Sequence, residues 1–336
     1  MGKQRKAIKW YSFRWRTGLY VLMLVILFFG YIGWCYHLGV RELPMGAGPA
    51  GPLVPSGVFG KIWTQEKVVM VGLGDSITDG FGAPPKHNYF SLLQSNDDVQ
   101  YPDIAGCDLG HVLPALDSYN YAENCSVSEE HLVQVAKMPV WPSDVKGIVV
   151  ITSGGNDLIH SYGRSEPRDG AMYGCSYKQA QVWTENIKQR IRKILDGVNA
   201  KFPGGCEIFL ANIYDPTDGV SDPHIVGFPR WSDGVRVLNL TNQKIADLCR
   251  SYDNVHLVDI HSEFLGHSIH CTEFWRKHYR KNDPHYWYYY NLEDPNPRGY
   301  DAIRRLFLNE MIKVLPDRFS KCDDVQEAFS IGVGYE

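Results

Sequence analysis

Residues 67–80 read KVVMVGLGDSITDG, a short run of β-branched and aliphatic residues followed directly by a glycine, an acid and a serine. The run over 67–72 predicts a buried strand, and the glycine permits a tight turn into a helix. In such a turn Ser76 projects into the cleft, and the following backbone N–H groups face a substrate oxygen, where they can hold an oxyanion. A GDS sequence before a helix is also typical of an ordinary N-cap.

Four further apolar runs predict strands, and stretches of helical period lie between them. The predicted strands cover 118–122, 147–152, 207–212 and 255–260, and the predicted helices cover 126–137, 177–202, 232–252 and 297–315. This alternation is typical of an α/β fold, so we expect a doubly wound, five-stranded parallel sheet. Ligands of such sheets bind at the carboxyl ends of the strands, so we expect the site residues in the loops that follow the strands.

The loop after the third predicted strand reads SGGND over 153–157, in which the side-chain amide of Asn156 can donate across the cleft. GDSIT and GGND, about 80 residues apart and each after a strand, resemble the motifs of the GDSL/SGNH hydrolases, and the resemblance spans 67–315. It implies a flavodoxin-like fold and cofactor-free acyl transfer from an ester. Ser76 would be the nucleophile, and its N–H and Asn156 would donate to the oxyanion, with Asp75 and Gly155 in support.

Two departures from the family pattern concern the oxyanion hole and the general base. Cys125 stands where the family usually has a glycine, although its backbone N–H can still donate to the oxyanion. The family's last block is normally Asp-x-x-His followed by Pro, whereas this chain has Asn291 and Asp294 in those places. A serine nucleophile needs a base within hydrogen-bond reach, so the base must lie elsewhere or be absent.

The segment over 259–292 is unusually long and contains five histidines, which suggests an insertion that rebuilds the site. Our preferred base is His285, nine residues before Asp294, whose carboxylate would orient the imidazole. Asp283 is a second candidate for that orienting role. His267 and His270 are alternative bases, and a site without any base is the remaining alternative.

Two features of the same segment have a second interpretation. His261, His267, His270 and Cys271 have the residue types of a zinc site, but their spacing fits no standard pattern, and we predict no metal. The aromatic run over 286–290 can stack on sugar rings at the mouth of the cleft or pack in the core. His160, Tyr162 and Arg164 follow GGND and can contact substrate or serve the loop's structure.

The N-terminal region predicts a membrane anchor. Six cations and no acid occupy 1–16, and no charged residue occurs over 17–40, which is long enough to span a bilayer. The charge asymmetry places 1–16 in the cytoplasm and the globular part outside the membrane. A cleaved signal peptide is the competing interpretation. The Gly- and Pro-rich segment 41–60 predicts a linker, 61–320 the hydrolase-like domain, and 321–336 a C-terminal tail.

Charge and motifs exclude several function classes. Beyond residue 16 the chain carries 28 Lys and Arg against 38 Asp and Glu, which disfavours nucleic-acid binding. Neither GxGxxG after the first strand nor GxxxxGK[ST] is present, so nucleotide cofactors have no motif to bind them. Seven cysteines lie beyond the predicted span, an odd number without an assignable pairing.

These observations predict a membrane-anchored, extracytoplasmic serine esterase whose substrate is an ester, with an acylated carbohydrate as the favoured candidate. One alternative is a lipid esterase held close to its substrate by the anchor. The other alternative is a non-catalytic module that has lost its base and binds glycan or protein in the retained cleft. The oligomeric state is not predicted by any feature of the sequence.

Overall fold

A computed structural model describes residues 2–40, 43–223 and 227–319, with side chains described from residue 15 and omitted over 35–40. The chain divides into two units, Met1–Leu43 and Pro44–Glu336. The first contains one helix, α1 (Gly2–Val40), in which Trp15–Trp34 has a mean hydropathy of 1.9. Its 20 residues rise about 30 Å, the thickness of a bilayer core, and a signal sequence has the same properties.

The second unit is built on a five-stranded sheet. Its strands are β1 (Val68–Leu73), β2 (Leu116–Asn120), β3 (Lys146–Ile151), β4 (Cys206–Ala211) and β5 (Val255–Val258). All neighbours pair in parallel, in the order β2-β1-β3-β4-β5. The predicted doubly wound sheet is therefore confirmed, and this order reverses between β1 and β3, where the two family motifs lie.

The remaining helices of the described chain are α2 (Ser76–Asp79), α3 (Tyr89–Gln94), α4 (Leu109–Val112), α5 (Ser128–Lys137), α6 (Gly155–Ile159), α7 (Tyr177–Lys201), α8 (Gly234–Cys249), α9 (Ile260–Phe264) and α10 (Pro297–Met311). Alternate residues of β1 supply two cores, because successive side chains of a strand point to opposite faces. Val68 and Met70 pack with Phe307 of α10. Val69 and Val71 pack on the other face with α7 and α8.

The segment predicted as a linker packs against the second unit from residue 44 onward. Ala50 is buried, and its N–H donates to Oδ2 of Asp301 over 3.0 Å. Farther along, Val54 and Phe59 are also buried, and the Phe59 ring contacts Trp63. Glycine and proline permit this irregular path, and the alanine, valine and phenylalanine among them supply the apolar contacts. Residues 44–60 therefore belong to the packed unit, unlike the linker that composition predicted.

Candidate active site

The loop after β1 places Ser76 at the start of α2. Gly74 adopts φ +131°, and a Cβ there would lie 2.1 Å from the carbonyl oxygen of Thr152, so only glycine fits. Asp75 caps the helix by accepting from the N–H of Ile77 over 3.2 Å and from Oγ1 of Thr152 over 2.8 Å. The turn is thus fixed on both sides, and Ser76 is the first residue of the helix that follows.

Ser76 lines a pocket of about 50 Å³ at the carboxyl ends of β1, β3 and β4. The wall comprises Asp75, Ser76, Ile77, Thr152, Ser153, Gly155, Asn156, Ile159, Asn212, Ile213, Tyr214, Pro216, Ile260, Leu292 and Glu293. The predicted residues Ser76, Asp75, Asn156 and Gly155 therefore share one pocket. Residues 212–214 directly follow β4, so the rule that ligands bind after strands would have found them from sequence.

The predicted oxyanion donors lie on neighbouring loops. Asn156, in the first turn of α6, donates from Nδ2 to the carbonyl of Ser126 over 2.9 Å, which leaves the second N–H of its amide for another acceptor. Cys125 precedes that serine and adopts φ +63°, the left-handed conformation that favours glycine. The cysteine thus keeps the backbone shape expected of the family's glycine.

A buried histidine ties these loops together. His131 on α5 contacts Oγ of Ser126 over 3.0 Å through Nε2 and Oγ of Ser153 over 2.9 Å through Nδ1. Burial lowers the pKa of His131 to about 4, so the imidazole is neutral near pH 7. Its role is to hold the loop of Cys125 against the loop of Asn156.

Asp294 faces Ser76 with its carboxyl group. Asn291 donates from Nδ2 to Oδ2 of Asp294 over 2.6 Å, while Oδ1 is buried and accepts no hydrogen bond from any described residue. Burial raises the pKa of Asp294, and the nearby Ser76 hydroxyl and Asn291 partly oppose that rise. A carboxylate that carries a raised pKa is a better proton acceptor than an exposed one.

The histidines predicted as bases lie apart from this pocket. His285 pairs through Nδ1 with Asp283, which also accepts two hydrogen bonds from Arg298 at 2.8 and 2.9 Å. The His285 ring lies against Gly46, where an added Cβ would come within 2.6 Å of it. The structure therefore brings Asp283 and His285 together, as the sequence suggested, but places neither beside Ser76 or Asp294.

His267 and His270 have other partners as well. His267 stacks on Trp287 with ring centroids 3.4 Å apart, and its Nδ1 contacts the carbonyl of His285 over 2.9 Å. His270 pairs through Nδ1 with Glu273 over 2.9 Å. No histidine of the described chain lines the Ser76 pocket. The described residues also contain no group of three or more His, Cys, Asp and Glu side chains that could hold a metal.

Carboxyl groups dominate the electrostatics of the pocket. Burial raises the pKa of Asp75 to about 6 and also raises that of Glu293. Asp79, at the end of α2, has a raised pKa for the same reason. Asp75 and Glu293 lie in the described wall, which contains no cationic residue, and Asp294 and Asp79 lie near it. The pocket is therefore acidic and favours neutral or cationic ligands over anions.

A model of the GDSL-like lipase/acylhydrolase family matches residues 73–302, which include the Ser76 turn, Asn156 and Asp294. The chain belongs to this family. It is accordingly a hydrolase of ester bonds. No curated protein matches its sequence.

Among solved structures, this GDSL-like hydrolase is similar to Axe2, an acetylxylan esterase from Geobacillus stearothermophilus, at 15% identity and a TM-score of 0.45. That match covers 74% of this chain and 94% of the other. An extracellular lipase from Streptomyces rimosus is similar at 14% identity and a TM-score of 0.47, with coverage of 72% and 99%.

The aromatic run of this GDSL-like hydrolase divides between core and surface. Trp287 and Tyr288 are buried in the core, which the structural interpretation of the run predicted. Tyr290 is 81% exposed, and its ring packs on Tyr289, which in turn meets the edge of Phe81 with centroids 5.9 Å apart. The Phe81 N–H donates to the carbonyl of Ser76 over 3.0 Å. The rings of Phe81, Tyr289 and Tyr290 therefore form an aromatic lip beside the nucleophile.

Proposed function

We propose that the protein is a membrane-anchored, extracytoplasmic serine esterase that removes acyl groups from carbohydrate, with Asp294 as the proton acceptor for Ser76. The observation that carries the catalytic part is the buried carboxyl group of Asp294 beside Ser76, whose Oδ1 has no hydrogen-bond donor among the described residues. In structures without substrate such contacts are often long, and they tighten in the complex.

The chemistry follows from these positions. The Oγ of Ser76 attacks the ester carbonyl carbon while its proton passes to the carboxylate of Asp294. The carbonyl oxygen becomes an oxyanion that accepts from Asn156 and from the N–H groups of Ser76 and Cys125. Asp294 then protonates the departing alcohol, and water cleaves the acyl-enzyme by the reverse sequence of proton transfers. Asn291 holds Oδ2 of Asp294, which leaves Oδ1 free to accept the proton of the serine.

The carbohydrate part of the proposal rests on the aromatic lip formed by Phe81, Tyr289 and Tyr290. Exposed rings beside a polar pocket provide flat apolar faces against which a sugar ring can stack. An acidic pocket also suits a neutral sugar better than a phosphorylated lipid, because the carboxyl groups repel anions.

The proposed location rests on the N-terminal unit. Trp15–Trp34 is long and apolar enough to cross a membrane, and the six cations before residue 17 favour a cytoplasmic N-terminus. The catalytic unit would then stand on the opposite side. Protease added from outside tests this orientation. It should cleave the catalytic unit on intact cells and leave that unit protected in sealed inverted vesicles. Cleavage on intact cells only after lysis would contradict the orientation.

Labelling of the detergent-solubilised full chain by a fluorophosphonate, read by intact mass, tests the catalytic proposal. We expect labelling of the parent, none for Ser76→Ala, at least a hundredfold slower labelling for Asp294→Asn, and parental rates for His285→Asn. Loss of labelling in His285→Asn with retention in Asp294→Asn would overturn the assignment of the base. Turnover of acetylated oligosaccharides, compared with triglycerides of equal acyl content, tests the substrate class.

A further inference from the structure

A second, apolar cavity adjoins the Ser76 pocket. Its volume is about 80 Å³, and it shares five wall residues with the catalytic pocket: Ile159, Ile213, Tyr214, Pro216 and Leu292. Its wall also includes the buried side chains of Leu158, Trp231 and Leu238. The two cavities thus lie side by side and have part of their wall in common.

Most polar atoms around this cavity are engaged elsewhere, which leaves its surface largely apolar. The exception is the buried hydroxyl of Tyr162, which has no hydrogen-bond partner among the described residues. Trp231 donates from Nε1 to the carbonyl of Cys175 over 2.8 Å, and the Tyr173 hydroxyl donates to the carbonyl of Pro229 over 2.5 Å. The Asp215 carboxylate accepts from its own loop, including the N–H of Gly219 over 2.7 Å. An alkyl group is therefore the ligand that the wall can accept without breaking hydrogen bonds.

Tyr162 forms part of the cavity wall, and the backbone at this residue is strained. Ser161 and Tyr162 adopt φ +70° and +44°, a conformation that is uncommon for residues other than glycine. Tyr162 stacks on Phe228, with ring centroids 4.4 Å apart, and both line the cavity. Strain of this kind persists where surrounding packing enforces it and is concentrated at functional sites.

We propose that this cavity is the acyl subsite of the esterase and that it accepts short acyl groups of about three to five carbons. The inference rests on the proposed function of Ser76. The cavity has about half the volume of the engineered 150 Å³ cavity that holds benzene, so it exceeds the methyl group of acetyl and excludes a long fatty chain. Because its wall is largely apolar, it suits the acyl group better than the hydroxyl-rich carbohydrate part of the ester, and the alcohol part then faces the aromatic lip.

The test compares 4-nitrophenyl esters of acetate, butyrate and dodecanoate, which differ only in the acyl group. Burial of two further methylenes, at about 0.8 kcal/mol each, predicts a kcat/KM for butyrate about fifteenfold above that for acetate. We expect dodecanoate to be hydrolysed more slowly than butyrate.

Val235 lines the cavity but not the Ser76 pocket, so Val235→Phe should reduce the ratio of butyrate to acetate kcat/KM by about tenfold. Val182→Phe makes the same change on an exposed face of α7 and should keep the parental ratio. Phe228→Ala, which opens the wall, should shift the preference toward hexanoate. Because each readout is a ratio, partial unfolding of a variant does not affect it.

Three results would overturn the inference. The first is a ratio of butyrate to acetate kcat/KM that is unchanged in both Val235→Phe and Phe228→Ala. The second is a change, in these variants, of the preference among acetates of different alcohols instead of the preference among acyl groups. Either result would reject the acyl subsite and leave the esterase assignment intact. Absence of turnover for every ester, together with absence of fluorophosphonate labelling, would reject the proposed function and the subsite with it.

Discussion

Nδ2 of Asn291 donates to Oδ2 of Asp294 over 2.6 Å, and the Oδ1 atom of Asn291 accepts from the N–H of Asp294 over 3.2 Å. In the GDSL/SGNH hydrolases these two positions normally carry an aspartate and a histidine. In the proposed mechanism the pair keeps the orienting function of the first position and replaces the imidazole of the second with a carboxyl group. This arrangement makes the base of the reaction directly testable.

Asp294→Asn should lower kcat by about 10² to 10⁴, because the variant removes the proton acceptor and keeps the shape of the side chain. Asp283→Asn is the matched control. It should weaken the contacts to Arg298 and His285 and leave kcat within threefold of the parent. A loss of kcat in the control that equals the loss in Asp294→Asn would contradict the assignment.

The pH profile should reflect the buried Asp294. The active form is the carboxylate, and burial raises its pKa, so we expect kcat/KM to fall on acidification at a higher pH than an ordinary aspartate would give. The acidic limb should steepen where Asp75, with a pKa of about 6, also takes up a proton. Stopped assays between pH 4 and 9 measure it, and a rate that is flat down to pH 4 would contradict the prediction.

The double variant Asn291→Asp with Asp294→His restores the family's Asp-x-x-His pattern at positions whose geometry is already suitable. An imidazole has an unperturbed pKa near 6.5 and accepts the serine proton more readily than a carboxylate near neutral pH. We expect faster fluorophosphonate labelling of Ser76 than in Asp294→His alone. Equal labelling of the single and double variants would show that the orienting residue has no role.

Cys125→Gly should preserve activity and stability, whereas Cys125→Val should impair both. At φ +63° a glycine has no steric penalty, but a β-branched residue is strained by about 1–2 kcal/mol, and the strain displaces the N–H that faces the oxyanion. Thermal unfolding and kcat of both variants check this. A valine variant that matched the glycine variant in both measurements would refute the conformational argument.

Stability should fall between pH 6.5 and 4 in a manner that depends on His131. Its pKa is lowered to about 4 in the folded state, so the unfolded state binds the proton first as pH falls. The contribution lost over this range is on the order of 3 kcal/mol. Urea unfolding of the parent and of His131→Asn at pH 7 and 4.5 measures it, and an identical pH dependence of the two proteins would contradict the prediction.

A chain that begins at residue 61 should be less stable than one that begins at residue 44. Residues 44–60 bury Ala50, Val54 and Phe59 against the catalytic unit, and each large apolar side chain contributes about 1.5–3 kcal/mol. The melting temperatures of the two chains test this. Phe59→Ala in the longer chain should reproduce part of the loss, and equal melting temperatures would show that the packed segment is dispensable.

Much of the fold was determined by the sequence itself. Apolar runs of strand length alternate with helical periods, and this local pattern predicted all five strands of the sheet within two residues at each end. GDSIT and GGND then placed Ser76 and Asn156 at adjoining strand ends, because parallel strands present their carboxyl ends on one edge. Cys125 could be assigned to the oxyanion loop by its place in that pattern.

Only the tertiary structure decided which side chain faces Ser76. Five histidines within 259–292 were equivalent in sequence, and the path of that segment takes His285 to Asp283 and Gly46 while Asp294 stays beside the serine. The docking of 44–60, the pKa changes and the apolar cavity also arise from contacts between distant residues. Local composition determines propensity and period, whereas burial and proximity depend on how separate elements pack. That packing sets which side chain lies beside Ser76.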